Sequence, residues 1–298
     1  MTDLIPLNLP EHLKHVVNLA TPRLGAAAIA CSDEFFAAKE RIIADEPAVF
    51  VADKYDSNGK WMDGWESRRR RQGGHDWCVI KLGCRGVIEA VDIDTSHFTG
   101  NYPPAASLEA CDVAGEPDAT TAWSEILSPA ALGPSAHHIL AVASAKVWSH
   151  VRLNIFPDGG VARLRIYGRP VASWANEAGG ADRNTVHELS LLDNGGRIVG
   201  YNNAHYGTTW TLLTRGRGHN MGDGWETRRR REPGNDWIVI ELGAAGIIDS
   251  LEVDTCHFKG NFPDRCSVQA ASMAAAPDSA IINQAMFWPE IVGETKLS

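Results

Sequence analysis

Residues 87–94 alternate, with Val91 and Ile93 on one side and Asp92 and Asp94 on the other, the period of two that predicts a half-buried strand. Residues 77–82 and 107–113 read as two more strands. Further on, Val151, Leu153 and Ile155 alternate with Arg152 and Asn154. Pro157-Asp158-Gly159-Gly160 then supplies a turn, and Leu164 and Ile166 alternate with Arg163 and Arg165, which predicts a β-hairpin. The main helical candidate is 33–44, with Ser32 placed to cap it. Short strands, Gly/Pro turns and few helical stretches predict an all-β sandwich or jelly roll.

The pattern occurs twice. DGWESRRRR at 63–71 returns as DGWETRRRR at 223–231, and DTSHFTGNYP at 94–103 returns as DTCHFKGNFP at 254–263. Aligning 63–110 with 223–270 at a constant offset of 160 gives 26 identities in 48 positions, too many for a short-motif coincidence. The chain therefore reads as a tandem duplication, with domains at 1–170 and 171–298 and a linker at 171–196. Apolar positions drift within class (Val91/Leu251, Ile93/Val253), as a core tolerates. Polar positions stay fixed: Asp63/Asp223, Glu66/Glu226, Arg68/Arg228, Arg70/Arg230, Asp94/Asp254, His97/His257 and Asn101/Asn261. Fixed polar groups mean either a satisfied hydrogen-bond network or a chemical site, and the repeat alone does not separate the two.

Composition narrows the field. A net charge of −9 over 298 residues argues against bulk electrostatic binding of nucleic acid, though local arginines could still hold a small anion. No apolar run approaches the roughly 18 residues of a membrane span, and the N-terminus shows no export signal. Six cysteines without a C-x-x-C pair read as free thiols, and the cytoplasm is the expected compartment. The sequence leaves homo-oligomerisation open.

The two DGWE[ST]RRRR copies, the two DTxHFxGN copies, the lead-in GKWMDGWE and HVRLNIFPDGGVARLRIYG at 150–168 together resemble the allantoicase family, over nearly the whole chain from about Asn18. The resemblance implies two tandem jelly-roll, galactose-binding-like β-sandwich repeats. It also implies hydrolysis of allantoate to ureidoglycolate and urea in purine (allantoin) degradation, a C–N bond hydrolysis in a linear amidine. One departure stands out. Trp123-Ser124-Glu125-Ile126 is followed by the segment running to Gly168, whereas only 292–298 follow the matching Trp288-Pro289-Glu290-Ile291. The second repeat is thus expected to lack its final hairpin, and either another segment (1–17 or 171–196) or another chain covers its apolar face, or it packs loosely.

Allantoate carries a carboxylate and two ureido groups on one carbon, so its hydrolysis needs a cationic anchor, a general acid and a general base. Arginine suits the anchor, because its planar fork holds a carboxylate bidentately. On a strand, Arg68 and Arg70 would share a face, and likewise Arg228 and Arg230; the alternative is a solvated charged face. His97 and His257 stand where a strand enters a Gly-Asn turn and could move protons, or could simply brace the turn. Glu66, Asp94, Glu226 and Asp254 are the carboxylate candidates for acid and base, and Asn101 and Asn261 join the substrate-binding set. Asp63 and Glu66 could equally be ion-paired to the neighbouring arginines. No cofactor is assigned. A divalent metal on Asp94, His97 and Glu66 is the minor alternative, because no dedicated ligand spacing is present. Two further readings compete: a non-catalytic jelly-roll module binding a sugar or small anion, and a pseudoenzyme.

Overall fold

The computed structural model describes residues 4–13, 16–172 and 186–298, and the chain divides into unit 1, Met1–Val171, and unit 2, Ala172–Ser298. Unit 1 is all-β. Its strands are β1 (Val17–Asn18), β2 (Ala27–Cys31), β3 (Tyr55–Asp56), β4 (Gly59–Lys60), β5 (Trp65–Glu66), β6 (Asp76–Asp94), β7 (Ala105–Cys111), β8 (Ser124–Ala131), β9 (His137–Ala141), β10 (Val147–Phe156), β11 (Gly160–Val161) and β12 (Arg163–Pro170). Eight of them form one antiparallel network in the order β1-β12-β6-β10-β7-β8, with β2 and β9 also paired to β6.

β6 organises the unit. The segments at 77–82 and 87–94 are one continuous strand, whose first half lies between β2 and β10 and whose second half lies between β9 and β12. The changeover falls at Gly83 and Gly86, where the chain passes too close to its neighbours for a side chain. A Cβ on Gly83 would lie 2.4 Å from the Leu24 Cβ, and one on Gly86 would lie 2.6 Å from the Arg169 carbonyl oxygen. The predicted 151–166 hairpin is corrected here. β10 and β12 have the expected alternation, but they pair with opposite halves of β6 rather than with each other, and the Pro-Asp-Gly-Gly turn carries the chain between them. Their inward side chains, Val151, Leu153, Ile155, Leu164 and Ile166, are fully buried, each worth about 1.5–3 kcal/mol.

The helix expected over 33–44 is also corrected. Only Lys39–Ile43 coils, as a short 3₁₀ turn. Upstream of it, the Phe36 and Ala37 amides donate to the Glu66 carbonyl, so this backbone is committed to pairing with β5 and is not free to coil. Ser32 caps nothing; its hydroxyl donates to Asp76 and accepts from the Trp77 amide, bracing β2 to β6.

Among the described residues, unit 2 repeats part of this plan with fewer strands. β13 (Arg197–Tyr201) pairs with β14 (Ile238–Glu241), β15 (Arg265–Gln269) pairs with β16 (Glu290–Lys296), and α1 (Asp278–Ala285) lies between β15 and β16 in sequence. Ile247, Leu251 and Val253 are 87, 48 and 50% exposed, whereas Val91 and Ile93, the unit 1 counterparts of the last two, are fully buried on a stretch of β6 paired on both edges, with β9 and β12. The proposed linker at 171–196 lies partly outside the described residues. Its described end belongs to unit 2, since Leu191 and Leu192 are buried there ahead of β13. The N-terminal segment serves unit 1, where Leu13 packs on Ala90 and Tyr167. Among the described residues no helix is long and apolar enough to cross a membrane. All six cysteines are free, though only Cys78 and Cys111 are fully buried.

Candidate active site

A cavity of about 360 Å³ opens in unit 1, within the range of roughly 300–1,000 Å³ of small-molecule sites. Three of the sequence candidates, Glu66, His97 and Asn101, line it together. Phe36, Phe50 and Met62 supply apolar wall, and Lys60 and Thr99 complete the lining.

Glu66 sits on β5, whose backbone is held between Ala37 and Gly160 on β11. Its carboxylate is buried and accepts a 2.7 Å hydrogen bond from Asn101 Nδ2. Burial raises its pKa; the Asn101 bond opposes the rise and the charge of Asp56 adds to it, leaving the carboxyl above its ordinary value. A buried acid that keeps its proton to higher pH can act as a proton donor.

His97 has φ 68°, and its copy His257 has φ 73°. A left-handed backbone at a non-glycine residue costs on the order of 1–3 kcal/mol, so surrounding contacts must impose it. Here the His97 amide donates to Ser135 Oγ at 3.1 Å. Asp94 accepts the amide and the hydroxyl of Ser96, fixing the turn that precedes the ring. His97 Nε2 lies 3.1 Å from the Ala48 carbonyl oxygen. A carbonyl can only accept, so Nε2 carries the proton and the neutral ring has its lone pair on Nδ1. Phe50 stacks on the ring at a centroid distance of 5.9 Å.

The other sequence candidates fall elsewhere. Asp94 is not in the lining; it is buried beneath the turn, and His137 lies 3.9 Å away. The arginine run is not a strand beyond Glu66. Arg68, 63% exposed, is tied to Asp33 at 2.6 Å, and Arg70 to Asp76 at 2.8 Å. Neither lines the cavity. Asp63 pairs not with a neighbouring arginine but with the buried Arg163, at 2.8 Å. In unit 2 the copies keep their contacts in an open setting: Asn261 Nδ2 donates to Glu226 at 2.6 Å, and His257 Nε2 to the Gly218 carbonyl at 2.8 Å. Asp254 accepts the Cys256 amide, Arg228 pairs with Glu232 and Arg230 with Asp236. Among the described residues no group of three or more His, Cys, Asp or Glu is arranged to hold a metal ion, and Asp94, His97 and Glu66 do not converge as one.

Sequence reasoning missed Lys60, Phe36, Phe50, Met62 and Thr99. The first four lie at or before residue 62, ahead of the aligned motif, and Thr99 is Lys259 in the second copy, so conservation between copies was silent on all of them. Arg163 was read only as an alternating strand position. Its burial, at 2% exposure, had no signal in the pattern.

Comparison with known proteins agrees with the duplication. The family described as Allantoicase repeat matches residues 17–171 and 187–298. "Probable allantoicase 1" of Burkholderia mallei is 55% identical over 97% of this chain and 85% of its own length. "Probable allantoicase" of Ralstonia nicotianae is 54% identical over the same shares. The crystal structure of allantoicase from Saccharomyces cerevisiae superposes with a TM-score of 0.74 at 33% identity, covering 95% of this chain and 82% of that one.

Proposed function

Because the chain belongs to the allantoicase family, we propose that it hydrolyses allantoate to ureidoglycolate and urea, and that the reaction takes place in the unit 1 cavity. The observation that carries the placement is the meeting of Glu66, His97 and Asn101 around one small-molecule-sized space. In this reading a water oxygen bonds to the central carbon while the bond from that carbon to one ureido nitrogen breaks. His97 Nδ1 takes the proton from the water. Glu66, whose pKa burial raises, gives a proton to the departing nitrogen, so that urea leaves neutral. Asn101 keeps the Glu66 carboxyl in place. The free thiols support a cytoplasmic setting.

The test is urea release from allantoate, with allantoin and arginine as substrates expected to stay untouched. Glu66→Gln and His97→Asn should each lower kcat by about 10²–10⁴ while the protein stays folded. Folded wild-type protein that binds allantoate and releases no urea would make it a binding module. Turnover unchanged in both variants would move the chemistry out of this cavity.

A further inference from the structure

The cavity contains one cationic side chain, and it is not one of the arginines. Lys60 ends the two-stranded β3–β4 hairpin, where Tyr55 pairs with Lys60 and Asp56 with Gly59. Its Nζ lies 4.4 Å from the centre of the Phe50 ring, and both residues line the cavity with Glu66 and His97. An ammonium over an aromatic face is attracted by the ring but keeps its hydrogen-bond donors available. Among the described residues Lys60 makes no ion pair with a carboxylate, whereas Arg68 and Arg70 are each within 2.8 Å of one. A carboxylate substrate approaching a chain of net charge −9 needs a local counter-charge, and Lys60 is the one the cavity offers.

The duplication sharpens the assignment. Residues 44–62 separate the 3₁₀ turn ending at Ile43 from Asp63, 19 in all. Residues 214–222, 9 in all, separate the equivalent turn ending at Leu213 from Asp223. The ten extra residues of unit 1 include the stretch that brings Phe50 and the hairpin to the cavity. Lys60 lies within that extra stretch and has no counterpart in unit 2. There the Gly218 carbonyl and His219 amide take the places of the Ala48 carbonyl and Val49 amide, and Asn220, which caps a short turn by accepting the Gly222 amide at 2.8 Å, leads straight on to Asp223. A lysine does occur in unit 2 at the position of Thr99, Lys259, but without the segment that walls the unit 1 cavity.

We propose that Lys60 is the substrate-binding residue that holds the carboxylate of allantoate, and that the lack of any counterpart to it leaves unit 2 without a matching high-affinity site. This rests on placing allantoate hydrolysis in the unit 1 cavity. Lys60 is exposed on a hairpin, so its replacement leaves the core intact.

The experiment compares Lys60→Met and Lys60→Arg with wild type, using allantoate and its primary carboxamide, which has the same shape without the charge. Lys60→Met should raise KM for allantoate by about 10- to 150-fold, the worth of one hydrogen bond to a charged group, with kcat within a few-fold. Lys60→Arg should recover most of the loss. Wild type should bind the carboxamide about as weakly as Lys60→Met does, and the substitution should add nothing further. An unchanged allantoate KM in folded Lys60→Met overturns the proposal, as does an equal loss on both substrates. A residual component with wild-type KM in the Lys60→Met kinetics would give unit 2 an independent site and overturn the second half. Wild-type protein that releases no urea would instead fail the placement on which the proposal rests.

Discussion

Arg163 is the residue whose loss the structure makes most costly. Its side chain is 2% exposed, and its guanidinium donates to the carbonyls of Glu46 (2.9 Å), Arg41 (3.2 Å), Asp63 (3.0 Å) and Ala162 (2.7 Å) and to Asp63 Oδ2 (2.8 Å). Arg163→Met keeps the length of the side chain and removes every donor. Four carbonyls lose a partner, and the Asp63 carboxylate keeps only the Val49 amide at 2.9 Å. Removing one partner of a buried pair costs about 3–5 kcal/mol. Asp63 is 14% exposed and can recover some water, so the lower end, about 3 kcal/mol, is the expected value. For a unit the size of Met1–Val171 that corresponds to a fall in Tm of roughly 6–12 °C. The damage should centre on 41–49, whose Ala48 carbonyl holds His97, so hydrogen exchange there should rise before the rest of unit 1 opens. The double variant with Asp63→Asn should be less destabilised than the sum of the singles, because it no longer strands a charge. A melting temperature within about 2 °C of wild type, or additive singles, would refute the argument.

Gly160 packs against Phe98: a Cβ there would lie 1.9 Å from the ring, which is fully buried beside Met62 and Ala162. Gly160→Ala should therefore cost about 1–3 kcal/mol in urea denaturation, and a neutral result would mean that Phe98 has room to move. His137 donates to Asp92 at 2.8 Å; burial alone would lower its pKa, but that bond and the charges of Asp92 and Asp94 raise it on balance. Its protonated form thus adds stability that is fully present below the unfolded pKa, about 6.5, and is lost as pH rises through the higher folded value. The stability difference between wild type and His137→Gln should shrink as pH rises through that window; a difference that grows with pH would contradict the sign.

Much of the fold was legible because alternation reports burial directly. Val151, Leu153, Ile155, Leu164 and Ile166 were assigned inward from the pattern and are buried. Pairing was not legible, since alternation says which face a residue takes and nothing about its neighbour. The partners of β10 and β12 follow from the unbroken run of β6, which no local pattern announces. In the site, comparing the two copies singled out Glu66, His97 and Asn101 because each copy keeps the same contacts. It passed over Lys60 and Phe50 for the complementary reason: they lie in the stretch where the copies differ in length. The arginine run does not have the strand geometry expected of it, because the strand ends at Glu66 and Arg68 and Arg70 pair with Asp33 and Asp76, partners that the run itself does not announce.

The 19-residue span of β6 also decides how unit 1 can come apart. In a sandwich whose layers own separate strands, one layer can detach while the other persists, and amides of the two exchange at different rates. Here a single strand gives its first half to one set of partners and its second half to another, so neither set can separate without fraying the strand that anchors the other. The opening of unit 1 is thereby tied into one cooperative event, with β6 amides as its slowest exchanging group. The cavity wall at 44–62 is held by Arg163, Arg165, Asp63 and His97 rather than by the backbone of β6, so it can loosen without opening that strand.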